Sequence, residues 1–320
     1  VLRAYGDSVT PLVVLIISTV LNVVLDLLFL AGFGMGPAGA AAATILAQFL
    51  SVIGCTVYTF IKYKELRLEK SDLKVSKRAV LEHLKQGVPL GLQFSILAIG
   101  IIVMQAAVVS FDLTANGSMV LGSPAQNGYG AANKLINFLM ASFHGLGSAV
   151  LGYNAQNYGK HDFERIKKGT CQSLIIMLII SAVCIAIGLL LSINGTYQYI
   201  FMSSDKISSE TIRYGNTILY VDLAFYYILG FLLVTRSAVQ GICRSGYVLA
   251  AGISELVARI LICAFLPQIV NGSPITSSAS PLSFAAVCFG DTGAWICAAV
   301  VLAIPFIHTI VKKNYGKQGL

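Results

Sequence analysis

The sequence predicts an all-α polytopic membrane protein with about eight transmembrane helices. Of its 320 residues, 56% are hydrophobic and only 11% are charged, and the mean hydropathy is +0.79. A soluble chain of this length needs far more polar surface to cover its core. Apolar runs of about 20 residues, the length that crosses a bilayer as a helix, recur along the whole chain.

Eight segments fit the length and composition of a membrane span. They are residues 11–31, 37–61, 86–110, 129–157, 167–193, 211–242, 247–269 and 289–311. The longest polar stretch, 63–85, separates the second span from the third and is predicted to be an amphipathic cytosolic linker, most simply a solvated loop helix. Residues 1–62 are therefore predicted as one part with two helices, and residues 86–320 as a second part with six.

The Lys and Arg residues agree with this count of spans. They concentrate in residues 63–85, in the connection after the fourth span and at both ends of the sequence. The connections that alternate with these contain a single Lys or Arg residue, Lys206. They are residues 32–36, 111–128, 194–210 and 270–288. By the positive-inside rule, the basic connections and both ends are predicted to be cytoplasmic. The formal net charge of +8 then needs no nucleic acid, although basic loops are expected to contact membrane lipid.

Polar residues inside the apolar spans are the candidate functional residues, because burying them in hydrocarbon is costly. Asn22 and Asp26 lie one turn apart on the same face of the first span, with Asp26 roughly 7 Å from its outer end. Thr44 lies at a similar depth in the second span. The short hairpin predicts that these three residues share one site, whose hard oxygen ligands suit a proton or Na⁺. A structural hydrogen-bond cluster is the alternative.

A second set of residues is predicted to line a substrate cavity. Glu255 and Arg259 are four apart in the seventh span, as either an ion pair that eases burial or part of the cavity. Asp222, in the outer third of the sixth span, either lines the cavity or reaches outer water. Asn133 and Lys134 lie near the outer end of the fourth span, where Lys134 can also snorkel to the interface.

Arg236 is a further ionisable candidate within the sixth span. It lies nearer the inner end, where its side chain is also long enough to reach the cytosolic interface, which is the alternative. The stretch "CFGD" at 288–291 only half resembles the G-x-G-D of intramembrane aspartyl proteases, since Cys288 replaces the first Gly. The sequence has no H-E-x-x-H, G-x-S-x-G or Walker lysine motif, so no enzyme is predicted. Active transport would then depend on an ion gradient.

Five stretches resemble the MATE (multidrug and toxic compound extrusion) transporters. They are "LRAYGDSVTPLVVLIISTVLNVVLDLLFLAGFGMGPAGAAAATILAQF" (2–49), "QGVPLGLQFS" (86–95), "GYGAANKLINF" (128–138), "YNAQNYGKHDFERIKKG" (153–169) and "VQGICRSGYVLAAGISELVARI" (239–260). The resemblance covers essentially the whole chain in order. The first and fourth stretches are the most specific.

The resemblance implies a fold of twelve helices in two six-helix lobes. This chain would hold the last two helices of the N-lobe and all six of the C-lobe, as an N-terminally truncated prokaryotic fragment without the first four helices. In one branch of the family, an N-lobe cation site uses residues that fall on Asn22, Asp26 and Thr44, with an Asp on the first helix. Another branch uses a Glu on the seventh helix, where this sequence has Ser95 and Ile96.

The expected function is cation-coupled antiport, with H⁺ or Na⁺ at Asp26 and export of organic, often cationic, drugs or metabolites. The expected protein is a monomer of the bacterial inner membrane that binds a small organic molecule and lipid, with no cofactor and no metal other than Na⁺. One alternative is a flippase for lipid-linked saccharides, which predicts a more cationic cavity around Lys134, Arg236 and Arg259. The other is a membrane receptor or scaffold that transports nothing.

Overall fold

The structure is a computed structural model that describes residue 2 and residues 5–7, 9–67 and 76–311. The central part of the predicted linker, 68–75, and the basic residues at the two ends, Arg3 and those in 312–320, lie outside the described residues. The described residues form ten α-helices. They are α1 (Val9–Leu27), α2 (Gly36–Lys62), α3 (Lys77–Val109), α4 (Pro124–Gly159), α5 (Phe163–Ser192), α6 (Thr196–Phe201), α7 (Ser209–Ala224), α8 (Tyr226–Gly241), α9 (Ser245–Asn271) and α10 (Pro281–Phe306).

The prediction of an all-helical chain with about eight membrane spans is confirmed. Seven helical segments of the described residues are long and apolar enough to cross a membrane, and the bent pair α7–α8 is an eighth candidate. The predicted sixth span, 211–242, is therefore two helices, which meet at an angle of 57°. The Phe225 amide donates to the Asp222 carbonyl oxygen at 3.1 Å, a tight turn that interrupts the i→i−4 ladder. No Pro or Gly marks this break in the sequence.

Two helices begin earlier than the apolar runs indicate. Helix α3 starts at Lys77, so residues 77–85, predicted within the linker, are helical; the Ala79 amide donates to the Ser76 hydroxyl at 3.1 Å. Helix α10 starts at Pro281 instead of 289, with the Ser283 amide donating to the Ser280 hydroxyl at 3.2 Å. In both cases a polar N-cap, not the onset of hydrophobicity, sets the boundary.

The described chain divides into two compact units, residues 1–80 and 81–320. In the first, α1 packs on a face of α2 whose buried residues are Gly39, Ala43 and Ala47. The Asp7 carboxylate accepts from the Thr10 amide at 3.0 Å and from the Lys62 ammonium at 2.9 Å. These bonds, the Lys62 bond foremost, hold the pKa of Asp7 well below its usual range. They tie the beginning of α1 to the end of α2.

In the second unit, α4 packs on α5, α7 and α8, and α10 packs on α9, α8 and α7. Close approach needs small residues. A Cβ added at Gly128 of α4 would lie 2.5 Å from the carbonyl oxygen of Thr211 in α7, so the two backbones are nearly in contact. Aromatic rings fill the space around this crossing, as with Tyr214 and Phe284 at 4.5 Å between centroids. A polar cavity lies among these helices, beside the α7–α8 bend.

Candidate functional site

A cavity of about 190 Å³ lies within the second unit. Residues of α3, α4, α7, α8, α9 and α10 line it, and its wall combines apolar side chains with a larger group of polar ones. These polar residues are Tyr129, Asn133, Asn137, His144, Asp222, Arg236, Glu255, Arg259 and Asp291. Charged groups at this position in a membrane protein mark a pathway or a binding site more often than a structural core.

Four of these residues form a continuous charge ladder, defined here as Arg236, Glu255, Arg259 and Asp291. The Arg236 guanidinium lies 2.8 Å from the Glu255 carboxylate. The Arg259 guanidinium lies 3.6 Å from the other oxygen of Glu255 and 2.7 Å from Asp291. The two short contacts thus run between helices, from α9 to α8 and from α9 to α10. Alternating signs offset the cost of removing the four charges from water.

Asp222 is the fifth charged residue of the cavity and has no such partner. Its side chain is 2% exposed and makes no hydrogen bond or ion pair with any residue that the structure describes; its Oδ1 atom is buried and unpaired. Asp222 is near the end of α7, just before the bend, where it faces the cavity. A buried carboxylate without a donor is costly, so a ligand or proton there has a physical reason to bind.

Gly100 of α3 makes room for the Arg259 side chain. A Cβ added there would overlap the Arg259 Nη1 atom. The guanidinium therefore rests against bare backbone of α3. This contact fixes the group in front of Asp291.

The predicted cation site lies in the first unit and is partly assembled. The Asn22 amide nitrogen donates to the Thr44 hydroxyl at 3.4 Å, and that hydroxyl donates to the Ala40 carbonyl oxygen at 2.9 Å. Asp26 lies one turn beyond Asn22, and its Oδ1 atom is buried without a hydrogen-bond partner. The structure thus brings Asn22 and Thr44 together next to an unpartnered carboxylate. Cation binding by the three residues stays a prediction.

A family model described as MatE matches residues 94–269, more than half of the chain. The chain belongs to the MatE family. Together with the apolar helices described above, this membership shows an integral membrane protein.

Known proteins similar to this MatE chain include two from Bacillus subtilis (strain 168). The probable multidrug resistance protein YoeA is 28% identical over 72% of this chain and 48% of its own length. The probable multidrug resistance protein YpnP is 33% identical over 52% of this chain and 35% of its own length. A solved multidrug resistance MATE family transporter of the MOP superfamily, in an outward-facing conformation, aligns with a TM-score of 0.75 and 19% identity. It covers 95% of this chain, which spans 63% of that structure.

Four of the residues predicted to line a substrate cavity do line the cavity of the second unit. They are Asn133, Asp222, Glu255 and Arg259. Lys134 does not join them, since its side chain is exposed and its ammonium lies 3.4 Å from the Phe201 carbonyl oxygen.

Arg236, one of the ionisable residues found within the spans, lines the cavity, and it does not take the alternative position at the cytosolic interface. Its side chain is 11% exposed and is bonded to Glu255. The i,i+4 spacing pairs Glu255 only with Arg259, whereas the shorter contact comes from the neighbouring helix.

Asp291 is the functional candidate that the MatE sequence did not reveal. With the last span predicted from 289, Asp291 stands at its very edge, where a carboxylate meets water. Because α10 begins at Pro281, Asp291 instead lies in its third turn and faces the cavity. The signal was available in Ser280-Pro281, a good N-cap followed by proline in the first helical turn.

Proposed function

We propose that this chain is part of a cation-coupled exporter of small organic molecules in the bacterial inner membrane, with its basic connections on the cytoplasmic side. The observation that carries the proposal is the charged cavity lined by membrane helices, with the unpartnered Asp222 in its wall. YoeA and YpnP, which are both described as probable multidrug resistance proteins, support the same conclusion.

In this proposal the coupling cation binds at Asp26, and Asn22 and Thr44 supply the remaining protein ligands around it. The unpartnered Asp26 oxygen supports this role, because a proton or Na⁺ supplies the missing interaction. Binding neutralises the carboxylate and changes which packing of the neighbouring helices is favoured, so that ion binding biases an outward-facing against an inward-facing state.

The cavity binds the positively charged or hydrogen-bond-donating group of a substrate. Its volume of about 190 Å³ is below the about 300–1,000 Å³ typical of sites for drug-sized ligands. It therefore suits a small molecule or the charged group of a larger one. Three carboxylates against two guanidinium groups favour an exporter of cations over a flippase for anionic lipid-linked saccharides, which calls for a more cationic wall.

The test is efflux of a fluorescent cationic dye from proteoliposomes that contain the full-length protein, under an imposed pH or Na⁺ gradient. We expect gradient-dependent efflux by the wild type and its loss in Asp26→Asn. A protein that shows no gradient-dependent flux is a receptor or scaffold instead. If Asp26→Asn inserts normally and extrudes dye with unchanged pH and Na⁺ dependence, the coupling role of Asp26 is refuted.

A further inference from the structure

The charges around the cavity do not balance. With all groups ionised, the charge ladder is neutral, because its two guanidinium groups face two carboxylates. Asp222 adds one negative charge that no described residue pairs. With all five groups ionised, the cavity as a whole carries one net negative charge, and the sign of this charge depends on every member of the ladder being in place.

Arg259 depends mainly on Asp291 for its neutralisation. Glu255 lies 2.8 Å from Arg236 but 3.6 Å from Arg259, so its carboxylate is bonded mainly to Arg236. Asp291, at 2.7 Å, is the close partner of Arg259. The backbone at Gly100 leaves the guanidinium no space to turn away towards α3.

We propose that Asp291 is a positioning residue that sets the charge selectivity of the cavity by neutralising Arg259, so that Asp222 remains the one unpaired charge presented to a ligand. This inference rests on the proposed function and deepens it. Asp222 attracts the positive group of the ligand, and Asp291 keeps Arg259 from repelling that group. Without Asp291, Arg259 becomes an under-neutralised cation in the same small cavity.

Variants that change the charge of the cavity separate this role from a merely structural one. The Asp291→Asn variant brings the net charge of the cavity to zero and is expected to lose the preference for cations. Arg259→Gln makes the cavity more negative and is expected to increase the preference. The double variant Arg259→Gln/Asp291→Asn removes one charge of each sign and is expected to restore the wild-type preference. General damage to the fold predicts no such restoration.

The experiment measures binding of two probes to the full-length protein in detergent. Benzyltrimethylammonium and phenylmethanesulfonate are similar in size and opposite in charge. Trp295 is the single tryptophan of this sequence and lines the cavity, so its fluorescence reports occupancy. The Trp295→Phe protein supplies the background signal. Asp205→Asn, which removes an exposed carboxylate of a connecting segment, is the matched control for loss of one negative charge.

We expect the ratio of the two dissociation constants to favour the ammonium in the wild type and in Asp205→Asn. The ratio should fall by about tenfold or more in Asp291→Asn, an effect of the size expected when one charge at close range is lost. If Asp291→Asn does not fold, the rise in Arg259→Gln and the restoration in the double variant carry the test. Equal ratios in the wild type, Arg259→Gln and the double variant would overturn the inference and leave the proposed function standing. Failure of the wild type to bind either probe, together with absence of dye efflux, would overturn both.

Discussion

The Arg259 guanidinium of α9 lies 2.7 Å from the Asp291 carboxylate of α10, and this contact joins two helices inside the membrane-spanning bundle. The side chains are 6% and 19% exposed, so water screens the pair only weakly. Through Glu255 the same chain of charges continues to Arg236 of α8. The three helices are thus held together at the wall of the candidate cavity.

Breaking this ion pair from one side should cost more than removing it altogether. Asp291→Asn leaves Arg259 buried without its close partner and is expected to lower the free energy of unfolding by roughly 3–5 kcal/mol. Arg259→Met/Asp291→Leu removes both charges and should cost clearly less. Thermal unfolding in detergent measures both, with Asp205→Asn as the control. A double variant that is less stable than Asp291→Asn would contradict the prediction.

A side chain at Gly100 should be unfavourable, because the end of the Arg259 side chain, held there by its ion pairs, occupies the space in front of it. Gly100→Ala forces the guanidinium to move and is expected to destabilise the protein by about 1–3 kcal/mol. Gly91→Ala is the matched control on the same helix, since a Cβ there meets nothing within 4 Å. The control should be neutral or slightly stabilising, as alanine favours helix. Equal melting temperatures for the two variants would argue against the contact.

The crossing of α4 and α7 should be equally sensitive at Gly128. An added Cβ would lie 2.5 Å from the Thr211 carbonyl oxygen and 2.8 Å from the Gly215 amide nitrogen, and backbone atoms cannot rotate away. We expect Gly128→Ala to cost about 1–3 kcal/mol by overpacking, measured by thermal unfolding. Gly130→Ala, two residues further along α4, has open space and serves as control. Equal stability of both variants would mean that the helices can separate without cost.

The link between Asp7 and Lys62 should make stability depend on pH in the acid range. The pKa of Asp7 is lowered in the folded state, mainly by the Lys62 bond, so the ionised carboxylate stabilises the fold. This stabilisation is complete when the pH is above the pKa of an Asp in the unfolded chain, about 3.9. It is lost as the pH falls through the lower pKa of Asp7 in the folded state. Asp7→Asn should therefore reduce the melting temperature at neutral pH, and the difference from wild type should narrow in strong acid.

The comparison needs one control, Asp205→Asn, which removes a carboxylate without this link. A difference for Asp7→Asn that stays constant from neutral to strongly acid pH would show that the carboxylate acts through something other than its charge.

The Thr44 hydroxyl should matter for ion coupling beyond its role in α2. Thr44→Val removes the acceptor of the Asn22 amide and is expected to weaken the Na⁺ or pH dependence of dye efflux about tenfold or less, because Asp26 remains. Thr56→Val is the matched control, since Thr56 makes the same hydroxyl bond to its own helix, at 2.8 Å to the Val52 carbonyl oxygen. Equal effects of the two variants in the proteoliposome assay would assign Thr44 a structural role only.

Hydrophobicity was enough to predict the spans, because each apolar run has the length that a bilayer requires. It did not predict the bend at Phe225 or the early starts at Lys77 and Pro281. A bend leaves composition unchanged, and helix ends depend on caps that lie outside the apolar run. The i,i+4 rule found Glu255 with Arg259 but has no means of finding a partner on another helix. Asp291 was missed for both reasons.

The sequence by itself determined that the chain is helical and lies in a membrane, and it placed Asp26, Asp222, Glu255 and Arg259 within apolar spans. These properties follow from local composition and from the high cost of exposing backbone or charge to hydrocarbon. Only the tertiary structure decided that Arg259 pairs with Asp291 and that Asp222 stays unpaired. Ion pairing depends on distances of a few ångströms between helices, and helix packing sets those distances independently of spacing along the chain.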